Sequence, residues 1–258
     1  MLAFRFDNTF EGLLSAVFDA YTRKMFPEIL LGPDDVPPLT AQTAHTVTTS
    51  GAKADRVYTG LRKRISRVGK NSVLLAFLSE EKDAPTLLFR YMRKIFDAPP
   101  GVTLEGDFSD PDIMAVDQLA RKVYCDYHLL LGFTRFQKTA GGIYFSALAP
   151  KYNVLAMMLP HFKDRFAGER WILYDAKRNF GFFHENGAIM DMTLDGTTLT
   201  NGMLPDELLA QGEAEFQAMW QQYFTVAAIT ERTNPKLQAR CLPRRYWPYM
   251  TEMRRPAC

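Results

Sequence analysis

Cysteine is scarce in this 258-residue sequence, and Cys125, Cys241 and Cys258 form no CxxC pair. That excludes a disulfide framework, and it excludes a four-cysteine zinc or iron–sulfur centre built from this chain alone. The four histidines, His45, His128, His161 and His184, show no metal-ligand spacing, so no metal and no cofactor is expected. No apolar run approaches the roughly 18 residues of a membrane span. The opening MLAFRFDNTFEGLL has an acid within its first apolar stretch and no small-residue cleavage site, unlike a signal peptide. A cytoplasmic protein without membrane contact is the expectation. Charge of one sign is also lacking, since 31 Lys and Arg against 29 Asp and Glu leave +2. No whole-chain field therefore argues for nucleic acid. There is no Walker A loop, no GxGxxG before a helix, no HExxH and no GxSxG, so the common nucleotide-hydrolysing, dinucleotide-binding, zincin and serine-hydrolase signatures are absent.

What is present is an ordinary globular composition, 47% apolar or aromatic and 23% charged. Asn8 followed by Glu11 has capping-box spacing, and Phe10, Leu13, Leu14, Val17, Phe18 and Tyr21 recur at helical intervals. Residues 26–39, rich in proline, read as an irregular connection, and 44–50 as a strand. Helical patterning from Lys53 to about Phe96 breaks near Gly69 and at Pro85. The DAPPG segment (97–101) is the best boundary. It separates a mostly helical region (1–100, one or two short strands) from an α+β domain (101–258), unless the two are one continuous domain. Asp110, Pro111 and Asp112 open a helix that Gly132 ends. From about 133 to 194, five short aromatic or β-branched segments predict a mainly antiparallel sheet packed with helices. A helix over 153–166 interrupts them. A further helix from Pro205 and a basic aromatic tail close the chain.

Two segments concentrate cations. Residues 53–70 hold seven against one acid, including Arg62, Lys63 and Arg64; residues 231–258 hold seven against two, including Arg244, Arg245 and Arg255. The second also carries Tyr246 and Trp247. Guanidinium forks beside aromatic rings suit phosphates and unstacked bases; a solvated helix face and a tail packed on the core are the bland alternatives. In WILYDAKRNFGFF, Asp175, Lys177 and Arg178 close a strand. A D-x-K at a strand end is a metal-nuclease pattern, but more often a structural salt bridge or phosphate contact. His161, with Arg165 one helical turn later, is a further general-base or phosphate candidate, or a partly buried structural histidine. His128, between Tyr127 and Leu129, reads as core or near-core filler.

Three strings together resemble a known family: FDNTFEGLLSAVFDAYTRKMFP, GGIYFSALAPKYNVLAMMLPHFKDRFAGERWILYDAKRNFGFF, and ERTNPKLQARCLPRRYWPYMTEM. The chain resembles an uncharacterised bacterial family of DNA metabolism and repair proteins. Its members are typically encoded beside a radical-SAM protein, and its central domain also occurs fused to uracil-DNA-glycosylase-type domains. His161, Phe162, Arg165 and Phe166 match its HF..RF block. Trp171, Tyr174, Asp175, Lys177, Arg178 and Gly181 match W..YD.KR..G. Asn234, Pro235, Leu237 and Gln238 match NP.LQ, and Pro243, Arg245, Tyr246 and Trp247 match P.RYW. The resemblance implies a DNA context and a radical-SAM partner, with no catalytic role to carry over. The expected function is a DNA-binding accessory protein of a repair or modification system. Lys177, Arg178, Arg244, Arg245, Tyr246, Trp247, Arg62, Lys63 and Arg64 would contact nucleic acid, single- or double-stranded. The alternatives are a nuclease- or glycosylase-like enzyme using Asp175, Lys177 and His161, or a protein–protein assembly factor.

Overall fold

The computed structural model describes residues 1–99, 101–194, 199 and 203–254, so Pro100, Arg255 and Cys258 lie outside the described residues. The chain divides into two compact units, Met1–Tyr124 and Cys125–Cys258, and the seam falls inside one long helix.

The first unit is built on a three-stranded parallel sheet in the order β2-β1-β3. Its strands are β1 (Leu2–Arg5), β2 (Ile29–Leu31) and β3 (Gln42–Thr46), with α1 (Phe10–Arg23) between the first two. Proline density points to irregular backbone over 26–39, yet β2 lies within it. Leu30 and Leu31 are buried and pair in register with Phe4 and Arg5, so tertiary pairing overrides the local turn signals. The α1 cap is Thr9, one residue beyond the expected Asn8: its hydroxyl accepts from Gly12 N, while Asn8 takes a left-handed conformation at φ 60°. Helices α2 (Gly51–Arg62), α3 (Arg67–Leu78) and α4 (Ala84–Asp97) follow. The break between α2 and α3 falls at Ser66, which caps α3, and Pro85 sits in the first turn of α4, where its missing N–H costs nothing. Phe4, Leu13, Val17, Leu61, Leu88 and Met92 meet in this core.

Helix α5 (Pro111–Phe133) carries the seam. Its start is capped as expected, the Asp110 carboxylate accepting from Asp112 N and Ile113 N.

The second unit holds one five-stranded sheet in the order β4-β5-β6-β7-β8: Gln137–Lys138, Tyr144–Leu148, Trp171–Asp175, Phe180–Glu185 and Ala188–Met192. All five expected segments are there. Pairing is antiparallel except between β5 and β6, which run parallel with α6 (Leu155–Arg165) as their crossover. The β7–β8 hairpin turns on Asn186 and Gly187, both at positive φ, as a tight two-residue turn requires. Period-two alternation sorts the strands into two faces. Phe145, Ala147 and Tyr174 pack with Leu204 on one. Tyr144, Trp171 and His184 stand in a row on the other, since Trp171 pairs with both Tyr144 and His184. After a 3-10 turn at Asp206–Leu208 come α7 (Glu213–Ala227), α8 (Pro235–Cys241) and a 3-10 segment at Arg244–Tyr249.

Candidate functional site

The residues singled out from sequence do not form one constellation. Asp175, at the end of β6, is completely buried. Its carboxylate accepts from the backbone N–H groups of Lys177 (2.9 Å) and Arg178 (3.1 Å) and pairs with the Arg178 guanidinium at 2.9 Å. Arg178 also donates to Pro150 O and Lys151 O, so both partners are tied into the β5–α6 connection. Lys177 is exposed and donates to Lys151 O. His161 belongs elsewhere. It lines a cleft with Trp171, which opens β6, and four residues of strand put Trp171 and Asp175 roughly 13 Å apart. The structure thus leaves Asp175 and Lys177 at one end of the strand and His161 at the other. Among the described residues, no group of three or more His, Cys, Asp or Glu is placed to hold a metal ion.

The aromatic tail is folded inward. Tyr246 is 1% exposed, and its hydroxyl donates to Asp126, whose same oxygen takes Arg245 at 2.8 Å. Burial, then the Asp126 charge, holds the Tyr246 phenol well above the ordinary tyrosine range. Such a ring presents no face for stacking. Trp247 is half-buried, its indole N–H on Leu242 O and the Arg244 guanidinium over its ring. In the first unit, Arg62 and Lys63 are exposed at the end of α2, while Arg64 donates to Ile95 O and Ala98 O and Lys53 pairs with the buried Asp19.

The second unit instead presents a cleft of about 910 Å³ between the end of α5, α6 and the Tyr144–Trp171 side of the sheet. Its walls carry five aromatic rings. Phe136 stands edge-on to both Phe162 and Phe166, which lie parallel to each other, and Phe162 meets Trp171 edge-on. Tyr144 completes the set, with the Lys138 ammonium over its ring. The HF..RF spacing places His161 and Arg165 one turn apart on α6, both lining the cleft. Arg165 is exposed, lies over the Phe166 ring and has no carboxylate partner among the described residues. Arg135 is anchored differently. It forks onto Glu252 at 2.6 Å and lies over Trp220. Burial would raise the Glu252 carboxyl, but hydrogen bonds from Arg135 and Trp220 hold it below the usual carboxylate range. Glu169 is the one acid among the described wall residues.

At the floor, Trp171 is fully buried and its Nε1–H has no acceptor among the described residues. His184 stacks on it at 4.8 Å and gives its Nδ1–H to Glu169 O; among the described residues, its Nε2 and Ser146 Oγ, on the same sheet face, also have no partner. Three orphaned polar atoms therefore lie on the sheet face that floors the cleft.

Sequence reasoning reached His161, Phe162, Arg165, Phe166 and Trp171 through the family pattern. It missed Arg135, Phe136 and Glu169, and it placed His128 in or near the core, whereas His128 is exposed at the cleft wall. The only signal for Arg135 was an aromatic-flanked cation in a strand-like segment, FTRFQ.

The model of a domain of unknown function, DUF4130, matches residues 82–252, well over half of the chain. The chain belongs to the DUF4130 family. This agrees with the resemblance to an uncharacterised family. The DUF4130 match takes in the whole cleft and the HF..RF, W..YD.KR..G, NP.LQ and P.RYW blocks, while the N-terminal FDNTFEG segment lies outside it. No curated protein and no solved structure matches the DUF4130 chain significantly.

Proposed function

We propose that this DUF4130 protein is a DNA-binding accessory protein of a bacterial repair or modification system, working with a radical-SAM partner, and that nucleic acid enters through the cleft of the second unit. The supporting observation is the joining of five aromatic walls to the exposed Arg165 and the anchored Arg135. Rings provide stacking surfaces for bases, and guanidinium groups hold phosphates. Lys177, Arg62 and Lys63 remain as exposed cations for peripheral phosphate contacts, with Arg178, Arg244 and Arg245 engaged by the protein itself. Anisotropy titrations with labelled single- and double-stranded oligonucleotides at several salt concentrations test the reading. Binding should weaken steeply with salt, and Arg165→Ala should flatten the slope by about one counterion without lowering stability. Absence of binding to either form at low salt overturns it.

One observation favours the assembly reading alongside. Phe216, Met219, Tyr223 and Phe224 share a face of α7 and are all at least 40% exposed. Large aromatics at that spacing suit a protein interface. Co-purification with the radical-SAM neighbour that survives nuclease treatment and is lost in Tyr223→Ser/Phe224→Ser would support it.

A further inference from the structure

We infer that the cleft seats a single unstacked nucleobase together with its attached phosphate, Arg165 taking the phosphate at the mouth and Trp171 reading the base at the floor. The inference rests on the nucleic-acid reading for its biological source but on the cleft alone for its chemistry. A volume of about 910 Å³ is ample for one nucleotide and too small for a duplex. The walls are flat rings set at several angles to one another, so a planar heterocycle can lie against one and meet another edge-on.

Polarity orders the guest within the cleft. The unpaired cation, Arg165, stands on the exposed side, where a phosphate keeps part of its hydration. At the bottom Trp171 lines the cleft, while the orphaned atoms of His184 and Ser146 lie on the same sheet face without lining it. Trp171 Nε1 can only donate. His184 Nδ1 is committed to the Glu169 carbonyl, so the neutral ring offers Nε2 as an acceptor, and Ser146 Oγ can do either. A purely apolar guest would leave the indole N–H unmet. A base edge bearing a carbonyl supplies the acceptor it lacks. The indole has no water-accessible surface, so the base must turn aside a ring above it. Phe162, which lines the cleft and meets Trp171 edge-on, is that ring.

Free nucleotide and a nucleotide within a strand share this chemistry, and the test separates them. The intact protein is titrated into 2-aminopurine deoxyribonucleoside monophosphate, into a single-stranded oligonucleotide with one central 2-aminopurine, and into the same oligonucleotide with an abasic site there. Stacking in the cleft should quench the probe, and the base-bearing strand should bind on the order of tenfold more tightly than the abasic one. Trp171→Phe, which keeps a ring and removes the donor, should erase most of that difference while leaving the abasic strand unchanged. Arg165→Ala should weaken both strands alike. Equal affinity for the two strands overturns the base site and leaves the DNA-binding reading standing. Binding and quenching of the free nucleotide without oligonucleotide binding supports the site and overturns the DNA reading. If neither is bound, both fall. Should Trp171→Phe fail to fold, the abasic comparison on the wild-type protein still decides the matter.

Discussion

Tyr246 and Asp126, 120 residues apart, share a buried hydrogen bond, and Arg245 joins the same carboxylate. Asp126 also accepts from Lys151 N, so one aspartate on α5 ties the β5–α6 loop to the C-terminal segment. Tyr246→Phe should therefore lower unfolding free energy by about 1.5–3 kcal/mol, the usual worth of a hydrogen bond to a charged group. Arg245→Ala should lower it less, because that guanidinium is 44% exposed. Denaturant titration checks both, and a Tyr246→Phe protein as stable as wild type contradicts the role given to this contact.

Alkaline pH should destabilise the fold through the same residue. In the unfolded chain Tyr246 ionises near its ordinary value of 10.0, while in the folded chain it stays protonated well above it. Between those points the folded state holds more protons, so stability falls as pH rises. Tyr91, pushed up to about 12 chiefly by burial, adds to the same limb in the first unit. Ultraviolet titration should show these phenols ionising late, and Tyr246→Phe should make stability fall less steeply above pH 10.

The neighbours Lys177 and Arg178 should behave differently. Arg178→Ala strands a fully buried Asp175 with only backbone donors and should cost on the order of 3 kcal/mol. Lys177→Ala removes one exposed contact and should stay within about 0.5 kcal/mol. Similar melting temperatures for the two variants would contradict this ordering.

Gly181 faces a steric limit. A Cβ there would lie 2.7 Å from both Leu173 O and Tyr174 Cδ2, and neither the strand backbone nor a buried ring can retreat. Gly181→Ala should cost about 1–3 kcal/mol through overpacking, measured by thermal or denaturant unfolding.

Strongly periodic elements were legible. The caps of α5 and the alternation in YFSAL and WILYD are local signals, and helix and sheet follow from them. β1 and β2 escaped because four- and three-residue strands of a parallel sheet show too little alternation to register, and their pairing is non-local. The candidate site was half legible. An i, i+4 pair such as His161 and Arg165 declares a shared helix face, but nothing in the sequence shows that FTRFQ and Trp171 meet that face across the crossover. Tyr246 illustrates the opposite difficulty. An Arg-Tyr-Trp run looks the same in sequence whether its ring is offered to a base or turned inward to a carboxylate some 120 residues earlier.

The parallel pairing of β5 and β6 also limits how far the cleft wall can move. Helix α6 is leashed at both ends to adjacent strands in the interior of the sheet, so any displacement of the wall bearing His161 and Arg165 is limited by the slack of two short connections, 149–154 and 166–170.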